Sequence, residues 1–270
     1  MFFKYVILLS ISLIVVINSF SQTPTIGLIY SDNEVSDGYT LFTPETNNNV
    51  YLINNCGEKI NEWVFNEKPS LTCYLLEDGT LLRVGVDSIQ IKDWDNNLIW
   101  SYSLTDANIN QHHDIEPLPN GNILILVRDK YTDAEIIAEG RNPVNLAGNF
   151  RLDKVIEIQP VGSNNANVVW EWKLFDHLIQ DFDSTKSNFG VVQDSPELIN
   201  LNFTANDDYT HVNSIDYNEN LDQILLSARH LNEVYIIDHS TTTAEAAGHT
   251  DGNSGMGGGY LMAMGKSSSL

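Results

Sequence analysis

One stretch in the second half of the chain gathers side chains that are suited to holding an anion. His211 and Asn213 lie two positions apart in the run THVNSIDY, and Arg229 closes the run QILLSAR. Both runs are typical of β-strands, and the polar residues 218–220 between them are turn formers, so a β-hairpin is predicted. An imidazole, a carboxamide and a guanidinium together offer donors to clustered anionic oxygens. Taken alone, however, the hairpin favours a structural strand histidine and a surface arginine.

A second polar hairpin supplies two further histidines. His112 and His113 open the run HHDIEPLPNGNILILVR, which predicts a strand, a Pro-Asn-Gly turn and a second strand ending on Arg128. When the two hairpins are aligned, His113 corresponds to Asn213, and Arg128 falls near Arg229. If the hairpins are equivalent parts of a repeated fold, these residues point to one shared site. The alignment favours His113 over His112 as the residue that faces this site.

Both hairpins belong to a repeated unit of short strands. Trp63, Trp100 and Trp170 each begin a Trp-x-aromatic triplet near the end of a predicted strand, and a polar insertion, 129–153, lengthens the second interval. A repeat of about 40 residues with four strands is typical of a β-propeller. We therefore predict an all-β fold, a β-propeller, in which each tryptophan packs between neighbouring blades. Helix is nearly absent from the pattern, and its best candidate is the short segment 176–184.

The composition limits the partners of the protein. The 270 residues carry a formal net charge of -22, with 36 acidic against 14 basic side chains. Nucleic acids and anionic membranes attract positive surfaces, so neither is expected as a partner. A small anionic ligand remains compatible if the few cations gather at one site. The histidines and carboxylates do not fall at a recognisable metal spacing, so neither a metal nor another cofactor is expected.

The N-terminus is typical of an export signal. Lys4 precedes the apolar run 5–17, and small polar residues follow it. We predict that residues 1–21 are a signal peptide, that the mature protein is periplasmic or extracellular, and that it is not inserted in a membrane, since the apolar run is short for a span. In an oxidising compartment, Cys56 and Cys73 predict one disulfide bond.

Together the motifs resemble one known family, the bacterial arylsulfate sulfotransferases that do not use a nucleotide sulfate donor. The matching runs are HHDIEPLPNGNILIL, VVWEWKLFDH, DYTHVNSIDYNENLDQILLSARH and HSTTTAEAAGHTDGNSG. With two shorter segments nearer the N-terminus they cover most of residues 22–258. The resemblance implies a six-bladed propeller with its active site at the central channel, and about four of those blades are expected in this chain.

The resemblance also implies a reaction. A sulfuryl group passes from a phenolic sulfate ester to a phenol acceptor by a ping-pong route through a sulfated histidine. His211, Asn213 and Arg229 correspond to residues that hold the sulfate, and His112 or His113 supplies a further imidazole. These groups suit the chemistry, because sulfuryl transfer, like phosphoryl transfer, places charge on peripheral and leaving oxygens that such donors stabilise. The oligomeric state stays open.

The final segment departs from the family pattern. Residues 259–270, GYLMAMGKSSSL, do not match it, and the histidine that the family sulfates lies beyond the matched part. We therefore expect the nucleophilic histidine to be missing from this chain and the propeller to be incomplete. Two other interpretations remain, a noncatalytic exported β-propeller scaffold and a quinoprotein-like propeller. A scaffold does not need a polar cluster on inner strands, and a quinoprotein needs a calcium site and cofactor-stacking residues that do not stand out here.

Overall fold

The computed structural model describes residues 30, 32, 34–146 and 148–265, and the predicted signal peptide, 1–21, lies outside them. Within this described part the fold is all-β, as predicted, with seventeen strands in five sheets. The described residues divide into two compact units, one made of those up to 41 together with 51–62, and the other of 42–50 together with those from 63 onward.

The strands follow one another along the whole described chain. They are β1 (Tyr39–Phe42), β2 (Val50–Asn54), β3 (Lys59–Trp63), β4 (Pro69–Leu75), β5 (Leu81–Gly85), β6 (Ser88–Lys92), β7 (Leu98–Ser103), β8 (Gln111–Pro117), β9 (Ile123–Tyr131), β10 (Phe150–Val161), β11 (Asn165–Lys173), β12 (Leu178–Ile179), β13 (Ile199–Asn200), β14 (Val212–Asn218), β15 (Gln223–Ala228), β16 (Glu233–Asp238) and β17 (Met262–Gly265). Two short helices are α1 (Asp133–Ala138) and α2 (Thr243–Ala246).

Three sheets of the larger unit are four-stranded meanders. We call β4-β5-β6-β7 the first blade, β8-β9-β10-β11 the second blade and β14-β15-β16-β17 the third blade. A three-stranded sheet, β1-β2-β3, and a parallel pair, β12-β13, account for the other strands. Four antiparallel strands joined in sequence are the blade unit of a propeller. The predicted propeller-like architecture is therefore confirmed, and the sheets are not closed into a barrel.

The first strand of each blade, β4, β8 and β14, lies against its neighbour. Asp114 of β8 joins all three, because one carboxylate oxygen accepts from the Tyr74 hydroxyl (3.0 Å) and the other from the Ile215 N–H (3.3 Å). We call these three strands the inner strands. Their contact brings the histidines of β8 beside the start of β14.

The second blade is packed on both faces. Leu124 and Leu126 of β9 lie in the core shared with the third blade, whereas Ile123, Ile125 and Val127 lie in the core shared with the first blade. All five side chains are buried. A strand covered by apolar neighbours on both faces has no position left for a polar alternation, which explains the unbroken apolar run of the sequence.

The tryptophans link successive sheets, as the repeat predicted. All three rings are buried, and each indole N–H donates to an oxygen in a later blade. The pairs are Trp63 with the Asp93 carbonyl (2.8 Å), Trp100 with the Asn165 carbonyl (3.0 Å) and Trp170 with the Thr241 hydroxyl (3.3 Å). A buried indole needs an acceptor for its N–H, so each ring both fills space and fixes the position of the next blade.

The prediction of a disulfide bond is wrong, because both cysteines are free thiols. Cys56 is exposed in the turn after β2, whereas Cys73 lies half-buried within β4 opposite Arg83. Burial raises the pKa of Cys73 to about 11, so that its thiol is protonated at neutral pH. A disulfide depends on the distance and direction between two Cβ atoms, and sequence spacing does not encode either quantity.

The helix predicted at 176–184 is also wrong. That segment contains the end of a 3₁₀ turn, Leu174–His177, followed by β12. The two α-helices among the described residues occur instead where Thr132 and Thr242 form capping boxes with a glutamate three residues later. The Thr-x-x-Glu spacing is the sequence signal that marks both helix starts. None of the described helices is long and apolar enough to cross a membrane.

Residues of the predicted unmatched tail complete the third blade. β17 pairs antiparallel with β16, with Val234 opposite Met264 and Ile236 opposite Met262. Just before it, the buried Tyr260 stacks on Tyr235 with ring centroids 4.3 Å apart. The described part of the tail is therefore packed as the outer strand of a blade.

Candidate active site

Three imidazoles meet where the inner strands of the second and third blades touch. His112 and His113 lie in β8, and His211 immediately precedes β14. The Nε2 atoms of His113 and His211 are 2.9 Å apart, and the His112 ring centroid lies 4.1 Å from His113 and 4.8 Å from His211. We call these three residues the histidine cluster. The structure thus brings together the histidines of both polar hairpins.

Irregular backbone in β8 and β14 sets the directions of the three histidine side chains. The register shifts within 111–115 of β8 and within 212–215 of β14. His113 (φ 58°) and His211 (φ 48°) adopt the left-handed conformation, as does Leu71 (φ 68°) in the shifted part of β4. Non-glycine residues seldom adopt this conformation, and a bulge turns side chains out of the regular alternation of a strand. Two consecutive histidines of one strand can therefore reach the same cluster.

Asp153 anchors the backbone on both sides of His211. Its buried carboxylate belongs to β10 of the second blade, and Oδ2 accepts from the Thr210 hydroxyl (2.5 Å) and the Val212 N–H (2.8 Å). The other oxygen, Oδ1, lies 3.5 Å from Nδ1 of His112. A carboxylate of one blade therefore positions the neighbouring blade's histidine and also lies behind His112.

Asp208 stands behind His211. Its Oδ2 is 2.7 Å from Nδ1 of His211, and its Oδ1 is 3.3 Å from Nε of Arg128. Burial raises the pKa of this carboxyl group, but the hydrogen bond from His211 and the positive charge of Arg128 outweigh burial, and the pKa lies below its ordinary value. The carboxylate is therefore ionised at neutral pH.

The guanidinium of Arg128 reaches the histidine cluster. Arg128 lies in β9 opposite Asp153 in β10, and its Nη2 contacts Nε2 of His112. Only 13% of its side chain is exposed. Since a guanidinium is charged at any ordinary pH, the cluster contains a fixed positive charge that Asp208 holds in place.

The imidazoles of His113 and His211 are neutral at pH 7. Burial lowers the pKa of His113 to about 4, and the neighbouring His112, His211 and Arg128 add to this effect. Burial also lowers the pKa of His211, against the opposing influence of Asp208. A neutral imidazole has one N–H and one lone pair, so each ring can donate a hydrogen bond and accept a proton.

Arg229 contacts His211 through its backbone, and Asn213 follows His211 by two residues. Both residues are exposed, Asn213 in the irregular part of β14 and Arg229 directly after β15. The backbone N–H of Arg229 donates to the His211 carbonyl (3.2 Å), and its Nη1 is 3.4 Å from Nε2 of His230. The His230 ring lies 4.6 Å from that of His211. The backbone of Arg229 therefore lies beside His211, and the side chains of both predicted residues are exposed.

Two kinds of ligand are compatible with this arrangement of side chains, a metal ion and an anion. The donor atoms of the histidine cluster all lie within 4.8 Å of one another, and so do those of Asp208, His211 and His230, which is close enough for a metal ion. The guanidinium of Arg128, however, already places a cation against the cluster. A positive charge repels a second cation and attracts an anion. The expectation that no metal is bound stays a prediction.

Sequence reasoning missed two carboxylates of this site. Asp208 stands three residues before His211 in the polar run 206–208. Asp153 lies at the end of the insertion 129–153, and only the pairing of β9 with β10 places it opposite Arg128. Arg128 itself was noticed through its alignment with Arg229. The signal that was available for Asp208 was the short spacing of a carboxylate and an imidazole.

The fold and the site together define a class of protein. It is all-β and has propeller-like blades, and the inner strands of these blades carry a polar site. Within that class, the sequence model of the family Arylsulfotransferase (ASST) matches residues 25–245. The chain belongs to this family, and the resemblance of its motifs is confirmed.

Two solved structures are similar to the chain. A protein of unknown function from Bacteroides caccae has 12% sequence identity and a TM-score of 0.42, with 87% of this chain and 60% of that chain covered. The hydrazine synthase of Kuenenia stuttgartiensis has 13% identity and a TM-score of 0.46, with 84% and 58% covered. The chain thus spans less than two thirds of the length of either structure. No curated protein matches its sequence.

Proposed function

We propose that the protein transfers a sulfuryl group from a phenolic sulfate ester to a phenol acceptor, and that the histidine cluster holds the sulfate oxygens. Membership of the arylsulfotransferase family supports the general chemistry. One observation carries the location of the site. The Nε2 atoms of His113 and His211 face each other at 2.9 Å beside the largely buried guanidinium of Arg128.

The cluster supplies the donors that sulfuryl transfer needs. The transition state spreads negative charge over the peripheral sulfate oxygens and the leaving phenolate oxygen, as in phosphoryl transfer. Arg128 offers a permanent positive charge, and the neutral imidazoles offer N–H groups in fixed directions. Donors that are held in place before the reaction stabilise such charge without reorganising. Asn213 and Arg229 have exposed side chains, and we propose that the negative charge of the bound oxyanion draws them toward it.

The transfer follows a ping-pong route through a sulfohistidine. In the first step an N–S bond forms on a histidine while the S–O bond of the donor breaks, and the donor phenol leaves with the electron pair of that bond. In the second step the acceptor oxygen attacks sulfur, and the histidine is released. The family resemblance puts the nucleophilic histidine downstream of the matched motifs. We therefore assign to His112, His113 and His211 the holding of the group and the movement of protons.

The setting of the reaction is proposed to be outside the cytoplasm. Residues 1–21 have the pattern of an export signal. A net charge of -22 disfavours polyanionic partners and leaves small aryl esters and phenols as the ligands. Membership of the arylsulfotransferase family favours this activity over a noncatalytic scaffold or a quinoprotein-like enzyme.

The decisive experiment combines binding with turnover. Binding of p-nitrophenyl sulfate is measured by calorimetry, and release of p-nitrophenol is measured with and without phenol as acceptor in a protein that also carries the nucleophilic histidine. We expect binding that is lost in His211→Ala and Arg229→Ala, and release that depends on phenol. Lys130→Ala is the control, since Lys130 is an exposed cation of β9. A folded protein that neither binds the ester nor shows phenol-dependent release contradicts the proposal.

A further inference from the structure

We infer that Asp208 is a positioning residue of this site, which keeps the proton of His211 on Nδ1 and leaves Nε2 of His211 as the proton acceptor that faces His113. The positions of the protons on the two imidazoles are argued from the contacts of Asp208, His211 and His113 alone. Its consequence for the reaction rests on the proposed function, and the tests below separate the two.

A hydrogen bond joins Asp208 to His211 and determines which nitrogen of the imidazole carries the proton. Oδ2 of Asp208 lies 2.7 Å from Nδ1 of His211, which is a hydrogen-bond distance. An ionised carboxylate has no proton to donate, so Nδ1 of the imidazole must carry the proton. In the neutral ring the other nitrogen, Nε2, then has a lone pair. This arrangement is the same device by which a carboxylate orients the histidine of a hydrolase triad.

The tautomer of His113 follows from that of His211. Its Nε2 lies 2.9 Å from Nε2 of His211. Two lone pairs at that distance repel each other, and a hydrogen bond needs one donor and one acceptor. Since His211 offers the lone pair, His113 carries its proton on Nε2 and donates it to His211. Asp208 thus determines the tautomers of two imidazoles, although it contacts only one of them.

Asp208 is itself held in place by contacts on both sides. Its second oxygen lies 3.3 Å from Nε of Arg128, and its backbone N–H donates to Oδ1 of Asn206 (3.0 Å). The neighbouring residues are tied to β10, because the Arg151 N–H donates to the Asp207 carbonyl (2.7 Å). Contacts on both sides therefore fix the direction of the carboxylate. Its position between an imidazole and a guanidinium distinguishes Asp208 from the surface carboxylates of the chain.

The chemical consequence lies in the second half of the reaction. A phenol acceptor that enters the cluster replaces His113 as the hydrogen-bond donor to Nε2 of His211. As the phenol oxygen forms its bond to sulfur, the phenol proton passes to Nε2, and the bond from sulfur to the departing group breaks with its electron pair. His211 becomes an imidazolium, whose charge the Asp208 carboxylate stabilises. The residue acts through His211 and does not touch the sulfuryl group.

The direct test is the tautomeric state of His211. Nitrogen-15 NMR of the histidine-labelled protein separates protonated from unprotonated ring nitrogens, and His211→Gln assigns the signals. We expect His211 to be protonated at Nδ1 and unprotonated at Nε2, which is the less common form in water. In Asp208→Asn the side-chain amide donates to Nδ1, so the proton moves to Nε2. A wild-type His211 that carries its proton on Nε2 overturns the inference, whether or not the variant folds.

The kinetic test separates positioning from binding. In a protein that also carries the nucleophilic histidine, Asp208→Asn is expected to lower the phenol-dependent kcat by roughly 10²- to 10⁴-fold, in line with the loss seen when a histidine is held in the wrong tautomer. The KM for p-nitrophenyl sulfate is expected to change little. Asp183→Asn is the matched control, because that carboxylate accepts from Thr185 in a distant turn. Equal kcat values for Asp208→Asn and the control overturn the role of Asp208 in transfer.

The two proposals fail in different ways. The expected tautomer of His211, in a protein that carries the nucleophilic histidine yet shows no phenol-dependent turnover, supports the positioning geometry and overturns the proposed function alone. Normal turnover together with a proton on Nε2 of His211 overturns the positioning inference alone.

Discussion

At the scale of single residues, the site depends on how burial and charge change ordinary side chains. The imidazoles of His113 and His211 would be partly protonated in water near pH 6.5, yet burial keeps them neutral here. The only permanent positive charge that touches the cluster among the described residues is Arg128. The site therefore combines one fixed cation with imidazoles whose protons can move.

The titration of His113 follows from this environment. We expect its imidazole to titrate near pH 4 in the free protein, because burial lowers its pKa to about 4. Bound sulfate stabilises the imidazolium and raises that pKa, so by linkage sulfate binds more tightly as the pH falls. Histidine NMR with and without sulfate measures both effects. A free His113 that titrates at 6.5 or above, or a sulfate affinity that rises with pH, contradicts the expectation.

The importance of Arg128 can be tested against a neighbouring cation. In a protein that also carries the nucleophilic histidine, we expect Arg128→Gln to lower kcat/KM for p-nitrophenyl sulfate by roughly 10²- to 10³-fold, as for the loss of one donor to a developing oxyanion. Lys130→Gln removes the same charge from an exposed position of the same strand. Its loss is expected to stay below about tenfold, because exposed charges are screened by salt. Similar losses in the two variants would show that only the net charge matters.

At the scale of the elements, charged contacts join neighbouring blades. His239, which follows β16 of the third blade, has Nε2 3.1 Å from Glu157 of β10 and Nδ1 2.7 Å from Asp222 in the turn after β14. The rings of Trp170 and Tyr217 lie edge-on against the imidazole. An imidazole held between two carboxylates therefore joins the second blade to the third.

This contact makes stability depend on pH. Burial lowers the pKa of His239, but its hydrogen bonds to Glu157 and Asp222 outweigh burial and raise that pKa above 6.5. The contribution is complete below pH 6.5 and is lost as the pH rises through the raised pKa. For Glu157, burial raises the pKa, but the hydrogen bonds from His239 and Asn122 outweigh it. That contribution is present above pH 4.5 and is lost as the pH falls.

The contact of His239 with Glu157 and Asp222 is therefore expected to contribute most to the melting temperature between pH 4.5 and 6.5. In His239→Gln, the loss of stability between about pH 5.5 and about pH 8.5 should shrink. Scanning calorimetry of both proteins at the two pH values measures the difference. An unchanged loss in the variant would assign the pH dependence to other groups.

At the scale of the whole molecule, the second blade belongs to two cores. Leu126 faces the core shared with the third blade, and Ile125 faces the core shared with the first. Because one strand contributes to both cores, disruption of either core weakens the sheet that supports the other. We expect the three blades to unfold together.

Matched variants test this coupling. Leu126→Ala and Ile125→Ala should each lower the free energy of unfolding by about 2–5 kcal/mol, the range for large-to-small changes in a packed core. Both are expected to keep a single transition in urea when followed by tryptophan fluorescence and by circular dichroism. Separate transitions in either variant would mean that the blades unfold independently.

The local order of the blades was predictable. The turns proposed at 218–220 and at Pro119–Gly121 do separate strands, β14 from β15 and β8 from β9. Turn residues and strand periodicity act over a few positions, so the sequence displays them directly. The disulfide and the helix at 176–184 were wrong because both depend on surroundings that are remote in sequence.

By itself the sequence determined which chemical groups the protein has, the repeat that carries them and the family to which they belong. Only the tertiary structure decided which groups meet. Alignment placed His113 in register with Asn213, but in the folded chain its ring meets His211, 98 residues away. The reason is physical: bulges shift the register of the inner strands, and carboxylates such as Asp153 enter from another blade. Neither a bulge nor a contact between blades leaves a periodic trace in sequence.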